Sequence, residues 1–87
     1  MAEVTLPQSL VRLFPGAPRC LQADGESVLE LIDDLDRRRP GMRNRLLDAG
    51  PMIRTHLMIF VDRDRAELST PIHAQSRVLI VAAVSGG

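Results

Sequence analysis

The chain has 87 residues, with eleven acidic and eleven basic side chains and a formal net charge of zero. That length supports one hydrophobic core, and the even charge leaves no electrostatic footprint for nucleic acid or an anionic membrane. Every basic residue is Arg and Cys20 is the only cysteine, which excludes Lys Schiff bases, Lys phosphate clamps and an internal disulfide, and points to a reducing cytoplasm.

In chain order, Met1-Ala2-Glu3-Val4 lacks the basic-then-apolar pattern of a signal peptide. Val4-Thr5-Leu6 alternates and predicts a short first strand ended by Pro7. Gln8 to Phe14 fits a turn of helix as well as more strand. Pro15-Gly16-Ala17-Pro18 is a turn by composition. Arg19 to Ala23 predicts a second strand, able to pair with the first as an antiparallel hairpin.

The strongest element is a helix over 27–39. Ser27 followed by Glu30 is a capping-box pattern, and Val28, Leu31, Ile32 and Leu35 form one apolar stripe. Asp33, Asp34 and Asp36 are expected on a solvated face. Arg37-Arg38-Arg39 suit the negative end of the helix dipole, and Pro40-Gly41 stops it. Met42, Leu46 and Leu47 suggest a further helical turn over one end of the core.

Arg54 to Val61 predicts a third strand after Gly50-Pro51. Asp62 to Arg65 reads as a solvated turn, Ala66-Glu67-Leu68 as a brief edge strand, and 69–76 as a loop. The last strand is a β-branched run, Val78 to Val84. No apolar run approaches the ~20 residues of a membrane span. The expectation is an α+β domain spanning 1–87, a mixed four- or five-stranded sheet with one main helix packed on one face. The third and last strands are apolar on both faces, and one helix covers only one. Leu57, Ile59, Val61, Val78 and Ile80 are assigned to the core. Met58, Phe60, Leu79 and Val81 are then candidates for an outer patch, a face that is either covered by loops or awaiting a partner.

Phe14 and Phe60 are the only aromatics, so the core must be aliphatic, and candidates for chemistry are few because no catalytic set is readable. His56 and His73 have no carboxylate or Cys at ligand spacing, so no metal is expected. Cys20 reads as a small buried hydrophobe. Met52 and Met58 read as filler in a core or interface. The remaining feature is the ending Ser85-Gly86-Gly87. With Gly near 7% of residues, a random chain ends in Gly-Gly about one time in two hundred. A terminal carboxylate can be activated by ATP as an acyl-adenylate and then attacked by sulfur. Glycine lacks Cβ and can enter a channel where a side chain would clash, and three extended residues reach ~10 Å beyond the fold.

These residues together resemble the ubiquitin-like β-grasp sulfur carriers of MoaD/ThiS type. The resemblance rests on the element order, on Gly25-Glu26-Ser27-Val28 at the helix start, and on Ala83-Val84-Ser85-Gly86-Gly87. Pro40-Gly41-Met42-Arg43 and His56-Leu57-Met58-Ile59-Phe60-Val61 look closest to the branch serving actinobacterial cysteine synthesis. Asp62, Ala74-Gln75-Ser76-Arg77 and Ala82 depart from residues common in the family. The resemblance implies a non-enzymatic carrier whose Gly87 becomes a thiocarboxylate, with 85–87 as a flexible tail entering partner active sites. Its implied partners are a ubiquitin-activating-like adenylyltransferase and sulfurtransferase, which uses the ATP, and a sulfur-accepting synthase for cysteine, molybdopterin, thiamin or a specialised metabolite. No cofactor is expected on the carrier itself. The alternative is a ubiquitin-like protein modifier or a non-catalytic interaction module.

Overall fold

The computed structural model describes residues 1–83. Strand β1 (Ala2–Thr5) leads into a short helix α1 (Gln8–Val11), then β2 (Cys20–Ala23), the main helix α2 (Val28–Arg38) and α3 (Met42–Leu46). The small strands β3 (Leu47–Asp48) and β4 (Met52–Ile53) pair with each other, and β5 (Leu57–Val61), β6 (Asp64–Arg65) and β7 (Arg77–Ala82) complete the chain. The main sheet has five strands in the order β2-β1-β7-β5-β6. Only β1 and β7 run parallel; the other neighbours are antiparallel. This is the β-grasp architecture, with the last strand at the centre of the sheet and α2 across one face.

Capping sets the start of α2. Ser27 accepts from the Glu30 backbone N–H at 3.2 Å, and the Glu30 carboxylate accepts from the Glu26 N–H at 3.2 Å. The next free donors of this helix end, the N–H groups of Val28 and Leu29, bond the Thr70 and Leu68 carbonyls of the loop before β7. The stripe Val28, Leu31, Ile32 and Leu35 is fully buried. It packs with Val4, Leu6, Met42, Leu46, Ile59 and Ile80 in an aliphatic core. Gly25 sets how closely the β2–α2 connection lies on the helix. A Cβ there would stand 2.5 Å from the Leu31 amide nitrogen and 2.9 Å from the Glu30 carbonyl carbon, so only glycine fits.

The acidic residues of α2 depart from the expected solvated face. Asp34 is 5% exposed and accepts from the Asp24 N–H at 2.9 Å, while Arg37 and Arg38 bond its two oxygens. Asp36 accepts from the N–H groups of Gly41 and Arg43, at 3.1 and 3.0 Å, and so caps α3 in place of a local side chain. Asp33 pairs with the Arg43 guanidinium. Backbone donors at helix starts and turns recruit these carboxylates, a demand that α2's own periodicity does not display.

Other boundaries also shift. The expected third strand begins only at Leu57, because 52–53 turn back on 47–48 and the Arg54 side chain ties that lobe through the Asn44 carbonyl and Asp48. The edge strand is Asp64–Arg65, not Ala66–Leu68. Asp62 and Arg63 both take positive φ, 50° and 79°, forming a two-residue hairpin turn that returns the chain to the ladder at once. Cys20 is exposed rather than buried. It stands opposite Thr5, and strand alternation places Ala23 and the half-buried Leu21 on the inner side instead. Met52 is 62% exposed on β4 and fills no core.

Candidate functional site

Strand alternation decides what the uncovered side of the sheet presents. On β5, Leu57, Ile59 and Val61 are buried, and Met58 and Phe60 are half-buried on the opposite face. On β7, Val78 and Ile80 are buried, Leu79 is 43% exposed and Val81 is half-buried. Cross-strand register then builds rows across the outer face. Cys20, Thr5, Leu79, Phe60 and Arg65 form one row; Gln22, Glu3 and Arg77 form the next, and Val81 and Met58 make a third. The four residues assigned to an outer patch are thus neighbours on one surface. Leu79 and Phe60 sit in its middle, beside a shallow groove that also touches Thr5, Arg63 and Arg77. Thr5 and Cys20 are linked at 3.3 Å between Oγ1 and Sγ.

The polar border was not legible in the sequence. Arg77 lies more than seventy positions from Glu3 and Thr5 in sequence but meets them because β1 and β7 pair in parallel. No local pattern announces that pairing.

The way out of the fold is also defined. The β5–β7 ladder runs from Val61 opposite Val78 to Leu57 opposite Ala82. Beyond it the Ala83 N–H donates to the His56 carbonyl at 2.7 Å. The backbone is therefore held from both sides at its start and from the β5 side through Ala83. Ser85, Gly86 and Gly87, the residues expected to carry the chemistry, lie outside the described residues.

The other candidates do not converge. His56 and His73 are both exposed, and among the described residues no cluster of His, Cys, Asp or Glu is placed to hold a metal ion. Among the described residues, the one strongly perturbed carboxyl is Asp34. The Asp24 N–H, then the Arg37 guanidinium, pull its pKa from 3.8 to about 2, against the opposing effect of burial. Its partners are all structural, and it lies in the β2–α2 layer rather than on the outer face. No helix among the described residues is long and apolar enough to cross a membrane.

Comparison with known proteins agrees with this geometry. A sequence model of the ThiS family matches residues 11–87. No curated protein sequence matches. Among solved structures, CysO in the BexX/CysO complex of Amycolatopsis orientalis aligns with a TM-score of 0.88 at 25% identity, covering 100% of both chains. CysO of Mycobacterium tuberculosis, described as an antigen, aligns at 0.87 and 26% identity, over 97% of this chain and 100% of that one. SAMP1 of Haloferax volcanii aligns at 0.78 with 21% identity, over 99% of this chain and 98% of the other, which is a likeness of fold.

Proposed function

This chain belongs to the ThiS family of ubiquitin-like β-grasp sulfur carriers, and on that premise we propose that it carries sulfur as a thiocarboxylate on Gly87. The carboxylate attacks the α-phosphorus of ATP in a partner adenylyltransferase, giving the acyl-adenylate and releasing pyrophosphate. A sulfide or persulfide sulfur then attacks the acyl carbon. AMP leaves, a persulfide's second sulfur leaves to a reductant thiol, and the thiocarboxylate remains. The carrier supplies no catalytic group. It supplies the carboxylate and a surface by which partners hold it, first the activating enzyme and then a sulfur-accepting synthase.

The observation that carries this reading is the placement of β7. It is the central strand, its inner side chains lie in the core, and its outer ones lie in the exposed apolar patch. The strand that must withstand docking also leads directly into the glycines. Four residues follow Ala83 and can span at most about 14 Å, so an enzyme that takes Gly87 must sit close to the patch. The Amycolatopsis CysO, 25% identical, is found in a complex with BexX, which supports a protein partner for this chain too.

The test is intact mass after incubation with a cognate activating enzyme, ATP and a sulfur donor. One oxygen-for-sulfur exchange, mapped to the C-terminal peptide, is expected. An unchanged mass with an enzyme proven active on another carrier refutes the proposal. Isopeptide adducts on other proteins, without thiocarboxylate, would assign the chain to protein modification instead.

A further inference from the structure

Beside the point where the chain leaves the sheet lies a second recess, separate from the outer patch. Leu10 and Leu13 wall it from α1 and the turn after it, Arg45 from α3, and Arg54 and His56 from the turn before β5, with Ala83 at its edge. Leu13 is 49% exposed, a large apolar side chain left in solvent. Among the described residues, no carboxylate lines the recess. Arg54 is partly neutralised by Asp48 at 2.7 Å. Arg45 makes no ion pair among the described residues. In a chain of zero net charge, this is a local positive excess next to an apolar wall.

We infer that this recess receives a carboxylate-bearing segment of the enzyme that activates Gly87, an acidic side chain beside Arg45 and an apolar one against Leu10 and Leu13. The inference rests on the carrier reading above. Its occupant follows from position and charge together. An enzyme engaging the last residues must lie over the end of β7, within the short reach of the chain beyond Ala83, and so must cover or border the recess. Covering Arg45 without a counter-charge would strip its hydration uncompensated. A partner carboxylate removes that cost and guides encounter, whereas the apolar patch contributes contact area without steering. A nucleic-acid phosphate backbone fits poorly, since it draws on many cations and, among the described residues, this recess offers one arginine without an ion pair.

Arg45 is exposed on α3, so its replacement tests docking rather than folding, and a thermal melt checks this for each variant. With thiocarboxylate formation followed by intact mass, Arg45→Glu is expected to raise the KM for the carrier about ten-fold at low ionic strength, leave kcat unchanged, and approach wild type at high ionic strength. Arg45→Lys should behave as wild type, and Leu13→Glu should raise KM at both ionic strengths. A wild-type KM for Arg45→Glu at low ionic strength, with the wild-type carrier active, overturns the inference and leaves the carrier reading intact. A wild-type carrier that forms no thiocarboxylate overturns both.

Discussion

Asp34→Asn isolates the charge that holds the β2–α2 connection. The Asn carbonyl oxygen still accepts from the Asp24 N–H, but the negative charge facing Arg37 and Arg38 is gone. In the folded protein the carboxyl titrates at about 2 instead of 3.8. At about 1.4 kcal/mol per unit, that difference corresponds to about 2–3 kcal/mol. The folded state binds this proton less tightly than the unfolded chain, so protonation favours unfolding. The contribution is complete above the unfolded pKa and fades as the pH falls through the folded one. Urea denaturation from pH 7 down to pH 2 measures it. The variant should be less stable than wild type by about 1–2 kcal/mol at pH 7, the retained bond to Asp24 accounting for the lower figure. The difference should shrink between pH 5 and pH 2 and nearly vanish at the bottom of that range. A difference that stays constant with pH would mean that shape, not charge, makes Asp34 matter.

Four further outcomes are expected. Gly25→Ala should lower stability by about 1–3 kcal/mol, because its methyl would overlap the helix backbone at Leu31; a melting temperature within a degree of wild type would mean the connection yields freely. Phe60→Asp, on the outer face, should change stability by less than about 1 kcal/mol and weaken binding of the activating enzyme more than ten-fold. Ile80→Asp, buried on the same sheet, should unfold the protein, and equal thermal melts for the two would contradict the assignment of faces. Adding a Leu after Gly87 should abolish sulfur loading with no change in the melt, because the added side chain blocks a channel that admits only backbone; retained loading in the mass assay would remove the channel argument.

Legibility of the fold in the sequence followed locality. The α2 stripe and its capping box are self-contained signals within one helix, and they place Val28 to Leu35 correctly. Strand alternation separated the two faces of β5 and β7 without knowledge of neighbours, but both faces are apolar, and only the packing of α2 shows which one is inward. What depended on a distant partner was misread or left open. Asp34 looks like one of three surface acids until the Asp24 N–H is brought to it across the β2–α2 turn. Cys20 looks like a core residue until its pairing with Thr5 turns it outward. Gly25 looks like a turn glycine, and its real constraint is the helix backbone against it. The edge strand was displaced by two residues because Asp62 and Arg63, without a glycine between them, still adopt a tight two-residue turn. The recess at the end of β7 draws on α1, α3 and the turn before β5, and no single segment carries its signature.

The two faces of β5 and β7 divide the sheet's work by alternate residues. Val78 and Ile80 hold the core, and Leu79 and Val81, interleaved with them, stand on the open side. Substitutions one position apart should therefore act on different properties, one on stability and the next on recognition. The same interleaving explains why an apolar patch is tolerated there. The helix covers only one face, and a domain this small has no second layer to cover the other. Left bare, such a surface favours self-association, and the polar rows beside it, Glu3, Gln22 and Arg77 on one side and Arg65 on the other, limit its extent. Charge is thus used at the margins and at the recess beside Ala83, where it can orient a partner. Contact area is concentrated at Leu79 and Phe60, where it can hold one. On the proposed carrier reading, orientation and retention have separate determinants, so raising ionic strength should slow association of the activating enzyme while changing its dissociation little. Stopped-flow binding measures both rates; a salt effect confined to dissociation would show that the charges hold the complex rather than steer it.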